Sequence, residues 1–283
     1  MQKILACIDE STWSTSVQDA AIWAAQLLGN PLTFLHSIEK QHLPDSQDLS
    51  GAIGLGARSK LLSEIATLDQ LRAKVALQLG KELLATAELK AQQAGCTEVE
   101  TVQRHGEFIN NLLTLESTAR LIIMGHSGSK TDKKLSILGT HVESLLRRIN
   151  TPVLITPHDF TAPHSFMLAY DGRETTEAAL ENILTSDLLS GMDCHLVTIK
   201  NKHPEQHEKF AQATERLKQR GFNVIATYLE GDIFKELLAY QQDNAVEMLV
   251  MGAFASPRLR QFFIGSNTLK MLSNSTVPIL VMR

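Results

Sequence analysis

The chain has 283 residues, of which 43% are hydrophobic and 20% charged, and its formal net charge is −4. No apolar run is long enough to span a membrane, and the chain lacks the basic excess typical of nucleic-acid-binding proteins. The first residues lack the apolar core of a signal peptide, so a cytoplasmic location is expected. The length exceeds the usual size of one domain, which predicts two domains, residues 1–158 and 163–283.

Five β-rich runs follow one another in the first half and recur in the same order in the second. The first run, Lys3 to Ser11, matches Phe166 to Glu174, and an aspartate, Asp9 or Asp171, follows the apolar part of each. The other four pairs of runs begin at Leu32 and Cys194, Val99 and Val224, Ala119 and Val246, and Asn150 and Ser275. Five matching runs in one order indicate an internal repeat, so the halves are predicted to share one fold.

Helix-like segments separate these runs. In residues 15–28, apolar residues recur at helical spacing, and Gly29 follows as a stop signal. Strands that alternate with helices indicate βαβ units and a mostly parallel sheet. Apolar runs with little alternation, such as LIIM at residues 121–124, are typical of strands covered on both faces. The predicted fold class is therefore α/β.

The first half carries extra sequence between its second strand and the next helix, at about residues 41–70, including Gly51, Gly54 and Gly56. One interpretation is a longer loop followed by an extended surface helix, which is the usual form of long insertions. The other is a lid or a segment that docks a partner.

A loop that begins with glycine follows the fourth strand of each half. In a doubly wound sheet, ligands bind at the carboxyl ends of strands where the winding direction reverses. If the first and fourth strands are neighbours, Asp9 lies beside the loop that begins at Gly125, and Asp171 beside the loop that begins at Gly252. Glycines let the backbone approach an anion closely, and the helix that follows offers unpaired N–H groups and the positive end of its dipole. The loops are therefore candidate phosphate sites.

The tandem repeat, the aspartate after the first strand and a loop spaced G-x2-G-x9-G-[S/T] resemble the universal stress protein family in its two-domain form. The resemblance covers essentially the whole chain outside the insertion. It implies two Rossmann-like (adenine nucleotide alpha hydrolase-like) domains, each with a five-stranded parallel doubly wound sheet, paired through their last strands as a pseudo-dimer. It also implies a role in stress response or signalling, with ATP or a related adenine nucleotide as the ligand and Mg²⁺ as an optional companion of the phosphates.

The resemblance assigns adenosine to the aspartate and to the backbone of the residue after the second strand. It assigns the phosphates to the glycines and polar residues of the loop. In this chain the matching residues are Asp9, Ser37, Gly125, Gly128, Gly139 and Thr140 in the first half, and Asp171, Thr198, Gly252, Gly265, Ser266 and Asn267 in the second.

Both loops depart from the family pattern. Ten residues, instead of nine, separate Gly128 from Gly139, and Ala255 replaces the second glycine of the second loop, where its Cβ disfavours positive φ. Arg258 and Arg260 in that loop either reach phosphates or lie in solvent. A second hypothesis therefore stays open, a scaffold of the same fold that binds no nucleotide and acts through protein contacts, with a further homodimer among its forms.

Enzyme chemistry has little support in the sequence. No G-x-G-x-x-G follows the first strand, and GHSG at residues 125–128 is one residue short of a nucleophile elbow. His203 and His207 lie four residues apart but without a metal-binding pattern around them. His126 beside bound phosphates could assist ATP hydrolysis, although no acidic partner or Walker lysine accompanies it. We predict no catalytic or metal-ligating residues, and at most slow ATP hydrolysis.

Overall fold

The computed structural model describes residues 2–39, 55–127, 140–200, 205–252 and 266–282. Strands alternate with helices along the first half. The strands are β1 (Lys3–Cys7), β2 (Leu32–Ile38), β3 (Val99–His105), β4 (Ala119–Gly125) and β5 (Val153–Thr156). The helices are α1 (Ser14–Leu28), α2 (Leu55–Gln93), α3 (Phe108–Leu113) and α4 (Thr140–Arg148), and a 3₁₀ turn at Glu116–Thr118 precedes β4.

The second half repeats this order of elements, which confirms the internal repeat. Its strands are β6 (Ser165–Ala169), β7 (Asp193–Ile199), β8 (Asn223–Leu229), β9 (Leu249–Gly252) and β10 (Ile279–Met282). Its helices are α5 (Glu174–Thr185), α6 (Gln206–Gln219), α7 (Ile233–Asp243) and α8 (Ser266–Asn274).

All ten strands form one sheet, in the order β3-β2-β1-β4-β5-β10-β9-β6-β7-β8. Pairs within each half are parallel, whereas β5 and β10 pair antiparallel, with Ile155 opposite Ile279. Each half is therefore a five-stranded parallel sheet, and the halves join through their last strands. The predicted fold class, including the pseudo-dimer, is confirmed.

Helices cover both faces of the sheet. Along β1, Ile4 and Ala6 join the core beneath α1, α2, α5 and α6, whereas Leu5 joins the core beneath α3, α4, α7 and α8. Because both faces are buried, the central strands are apolar without alternation, as the sequence indicated. In the described part of the chain, no helix has the length and apolar character needed to cross a membrane.

Helix α1 shows how closely periodicity predicted local structure. Its residues Val17, Ala20 and Ala24 are buried against the sheet, and Gly29 ends the helix in the left-handed conformation at φ 61°. The helix begins at Ser14, one residue before the predicted start.

The insertion includes the start of the long helix α2, which runs for 39 residues. Its C-terminal part packs on β2 and β3 through a face that includes Gly80, Leu84 and Ala87. Residues 63–75, in contrast, are all exposed. The extended surface helix is therefore present, while Gly51 and Gly54 lie outside the described residues.

Candidate functional site

The strand order brings the candidate site residues together at two places, one in each half, at the carboxyl ends of its parallel strands; because β5 and β10 are antiparallel, the two places lie at opposite edges of the sheet. In the first half β1 pairs with β4, so Asp9 and Gly125 leave neighbouring strands. In the second half β6 pairs with β9, so Asp171 and Gly252 do the same. Because the connections from β1 and β4 run in opposite directions across the sheet, each place is a point where the winding direction reverses.

The two aspartates hold the turns that lead from the first strand of each half into its first helix. Asp9 Oδ1 accepts hydrogen bonds from the N–H and the hydroxyl of Ser11. Asp171 Oδ1 accepts from the N–H of Arg173 and from the Thr176 hydroxyl, each at 3.0 Å. These local bonds fix the orientation of each carboxylate at the edge of the sheet.

Gly125 and Gly252 allow the end of the fourth strand of each half to lie close to the segment that follows the first strand of the same half. A Cβ at Gly125 would lie 2.8 Å from Trp13 Cβ, and a Cβ at Gly252 would lie 2.3 Å from the Thr175 carbonyl oxygen. Each glycine is therefore needed for packing whether or not a ligand binds beside it.

Helix α4 begins at Thr140 and helix α8 begins at Ser266. These are the hydroxyl residues that the family resemblance assigned to the phosphates. Asn267 lies in the first turn of α8. Since each helix follows a loop that leaves the carboxyl end of β4 or β9, the helix N-termini are candidate anion sites. The other loop residues lie outside the described residues: Gly128, Gly139, Ala255, Arg258, Arg260 and Gly265.

The structure corrects the placement of Ser37 and Thr198. Both were expected after the second strand of their half, and both lie inside it, one residue before its end. The N–H of Ile8 donates to the Leu35 carbonyl, so Leu35 directs its backbone groups toward β1. Since these directions alternate along a strand, Ser37 also directs its backbone toward β1. Strand β1 has ended at that level, and no described residue hydrogen-bonds to the Ser37 N–H or carbonyl.

The equivalent residue in the second half is Ile199, so the choice of Thr198 was wrong by one position. The N–H of Tyr170 donates to the Val197 carbonyl at 2.9 Å, which places Val197 at the level of Leu35. Ile199 therefore corresponds to Ser37. A shift of one residue turns the backbone groups of a strand to its other side, so those of Thr198 do not face the crevice. Thr198 is also buried in the core, where it is 1% exposed.

Gln206 closes this position in the second half, and nothing in the sequence pattern pointed to this residue. The residue begins α6 and is 5% exposed. Its Nε2 donates to the Ile199 carbonyl and to the Thr198 hydroxyl, both at 2.8 Å. The backbone carbonyl that corresponds to that of Ser37 is therefore already engaged. In the first half the insertion precedes α2, and no described residue takes the place of Gln206.

His126 makes a contact between the two halves. Its ring is 7% exposed, and Nε2 donates to the Leu272 carbonyl in α8 at 2.6 Å, which links the two halves. Burial lowers the pKa of His126, and the bond to the Leu272 carbonyl opposes this shift only in part. The ring also lies beside Trp13, with 5.7 Å between the ring centroids. His126 therefore fastens one half to the other.

Metal-ligating side chains do not gather in the described residues, where no group of three or more His, Cys, Asp or Glu could hold an ion. His207 Nδ1 lies 2.8 Å from the Tyr228 hydroxyl, and His203 lies outside the described residues.

Comparison with known proteins identifies the family. The profile of the universal stress protein family matches residues 1–157 and again residues 164–283. Universal stress protein Slr1230 of Synechocystis sp. is 32% identical over 287 residues, which cover 100% of both chains.

Two solved structures share the fold. A universal stress protein from Archaeoglobus fulgidus has a TM-score of 0.73 at 19% identity, over 99% of this chain and 98% of that one. A functionally unknown protein, PA1789 from Pseudomonas aeruginosa, has a TM-score of 0.62 at 18% identity, over 100% and 92% of the two chains. The family profile matches twice along a fold that is itself repeated. The chain therefore belongs to the universal stress protein family, of which it carries two domains in tandem.

Proposed function

We propose that the first half binds ATP or a related adenine nucleotide in the crevice between Asp9, Ser37 and Gly125, and that the protein acts in stress response or signalling through this ligand. The observation that carries the proposal is the backbone of Ser37. Its N–H and carbonyl face the point where the winding of the sheet reverses, and no described residue pairs with them. An adenine ring offers a donor and acceptors that match such a pair of backbone groups.

Asp9 supplies the ribose side of this site. Its carboxylate is oriented by two hydrogen bonds from Ser11, so it does not have to be ordered when a ligand binds. A carboxylate held in this way accepts hydrogen bonds from ribose hydroxyls at small entropic cost.

The N-terminus of α4 supplies the phosphate side. The helix begins at Thr140, and its first N–H groups and dipole favour an anion at the end of the loop that leaves Gly125. Gly128 and Gly139 would complete that loop, and any Mg²⁺ would lie with the phosphates there. These assignments stay predictions, because the loop residues lie outside the described part of the chain.

The second half is the weaker candidate. Asp171 and Gly252 repeat the arrangement of Asp9 and Gly125, but Gln206 already donates to the Ile199 carbonyl. An adenine ring at this place would have to displace a buried side chain and leave its amide unpaired, which costs free energy.

Paired substitutions of the equivalent aspartates test the proposal. Asparagine keeps an oxygen that accepts from the following N–H, so Asp9→Asn and Asp171→Asn should both preserve their turns. We expect small molecules released by denaturation of the fresh protein to include an adenine nucleotide. In calorimetric titration with ATP and AMP, Asp9→Asn should weaken binding at least about tenfold, whereas Asp171→Asn should bind like the parent protein.

The same titration distinguishes the alternatives. Loss of binding in Asp171→Asn alone would assign the site to the second half. Absence of bound nucleotide and of any titration signal in the parent protein would refute the proposal and leave a scaffold that acts through protein contacts. Thermal denaturation of both variants checks that any loss of binding is not a loss of folding.

A further inference from the structure

An unpartnered row of apolar side chains runs along one side of α2. The row, here called the α2 stripe, recurs at spacings of three and four residues, and each member is more than a third exposed. Its members are Ile65, Leu68, Leu71, Val75 and Leu79. At 100° per residue the stripe lies to one side of the face that packs on β2 and β3 through Gly80, Leu84 and Ala87.

The part of α2 that bears most of the stripe has no support from the rest of the described fold. Residues 63–75 are all exposed. An isolated helical segment of this length is marginally stable in water, and most helical stability in proteins comes from packing of an apolar face. A contiguous exposed apolar row on such a segment is typical of a contact surface between proteins.

We propose that the α2 stripe pairs with the α2 stripe of a second copy of this chain, with the two helices antiparallel. A two-fold axis near residue 70 places Ile65 of each chain against Val75 of the other. It also places Leu71 close to its own copy. A surface that pairs with itself in this way forms a closed dimer.

The charges on the helix favour the antiparallel arrangement. Arg72 is the one charged residue between Leu68 and Val75 on the stripe side, and it already lies 3.8 Å from Asp69 of its own helix. About an axis near residue 70, Arg72 of each chain meets Asp69 of the other, and the hydrocarbon part of Arg72 lies over Leu68. In a parallel pair with the same register, the two Arg72 side chains would face each other and repel. The helix is therefore complementary to a reversed copy of itself.

This inference is independent of nucleotide binding. The α2 stripe lies on the outer side of a helix that packs on β2 and β3, whereas the proposed crevice lies at the carboxyl ends of β1 and β4. Either proposal can fail while the other stands.

Matched leucine substitutions on α2 test the surface. Leu68 and Leu89 are on the same helix and 53% and 55% exposed, but Leu89 lies outside the α2 stripe. Leu68→Lys puts a cation opposite Arg72 of the partner, whereas Leu89→Lys leaves the stripe intact. In sedimentation equilibrium of the full chain, we expect a dimer for the parent and for Leu89→Lys. Leu68→Lys should raise the dissociation constant at least about tenfold, since the dimer contains the change twice.

Cysteine cross-linking tests the orientation. Leu71→Cys lies near the proposed axis, so it should form a disulfide with its own copy under mild oxidation. Ile65→Cys should not, because in an antiparallel pair the two positions are about 15 Å apart along the helices. The parent protein, with its three free cysteines, sets the background.

Charge reversal adds a test that a loss of folding cannot imitate. Arg72→Glu should weaken the dimer, because it places a glutamate beside Asp69 of the other chain at both contacts. Asp69→Arg combined with Arg72→Glu puts opposite charges back at both contacts and should restore the dimer. The proposal is overturned if the parent is monomeric throughout the concentration range, which would mean that something other than a second copy covers the stripe. It is equally overturned if Leu68→Lys dimerises like the parent, or if Ile65→Cys cross-links in preference to Leu71→Cys.

Discussion

Substitution of His126 tests how the two halves are held together. Its Nε2 donates to the Leu272 carbonyl, which lies in the last turn of α8 and so has no partner within the helix. Replacement by phenylalanine keeps a ring of similar size but removes the donor. The Leu272 carbonyl would then be buried without a hydrogen bond, which costs about 1–3 kcal/mol of unfolding free energy.

Replacement by glutamine separates the hydrogen bond from the charge. A glutamine amide can donate to the same carbonyl at every pH, so His126→Gln should lose less stability than His126→Phe at neutral pH. The difference should be about 1 kcal/mol or more in urea denaturation, monitored by far-UV circular dichroism.

The pH dependence of stability supplies a second readout. Burial lowers the pKa of His126 below its ordinary value of 6.5, so the folded protein keeps the ring neutral where the unfolded chain takes up a proton. The stabilising contribution of a neutral His126 is therefore fully present above pH 6.5 and is lost as the pH falls through 6.5 toward the lower folded pKa. His126→Gln should lose less stability than the parent on acidification. Burial also lowers the pKa of His195, but that effect is common to both proteins and cancels in the comparison.

Two results would refute this reasoning. Equal stability of His126→Phe and the parent at pH 8 would mean that the bond to Leu272 contributes nothing. Parallel loss of stability on acidification in the parent and in His126→Gln would mean that the folded protein accommodates the charged ring.

Two glycine substitutions should destabilise the fold for different reasons. Gly252→Ala places a Cβ 2.3 Å from the Thr175 carbonyl oxygen, which is backbone and cannot rotate away, so urea denaturation should show a loss of about 3 kcal/mol. Gly80→Ala places a Cβ 2.1 Å from Gln103 Nε2 and 2.5 Å from Nδ1 of the buried His36 ring, and we expect a loss of about 1–2 kcal/mol even though alanine favours a helix. In a Gln103→Ala background the loss should shrink but not vanish, because the contact with the His36 ring remains; a complete disappearance of the loss there would mean that the His36 contact contributes nothing.

Much of the fold could be predicted because the same pattern of apolar runs and helical segments occurs in both halves of the chain. The order of strands and helices in one half predicted the other, and apolar runs without alternation predicted strands covered on both faces. Pairing of the last strands with each other followed from the family resemblance and is confirmed, and β1 pairs with β4, as was assumed for the doubly wound sheet.

The site was less predictable because it depends on register and on single side chains. Thr198 and Ile199 differ by one position, and only the hydrogen bond from Tyr170 to Val197 shows which of them faces the crevice. Gln206 is a polar residue at the start of a helix, a common occurrence, and its role appears only when its amide is seen against the Ile199 carbonyl. The packing roles of Gly125 and Gly252 were hidden for the same reason, since a sequence does not show which backbone lies opposite a glycine.

Fusion of two domains into one chain has a consequence for both proposals. In a dimer of identical domains, every residue occurs at both sites, so a side chain like Gln206 would close both crevices together. A long α2 on each domain would also give the dimer two self-complementary stripes at opposite ends of the sheet, and pairing at both ends would build an open chain of molecules. Here α2 packs on the edge formed by β2 and β3, and the equivalent helix at the other edge, α6, is 14 residues long. Under the two proposals, a single stripe per chain limits association to two copies, and Gln206 closes the crevice of the second half with no counterpart among the described residues of the first.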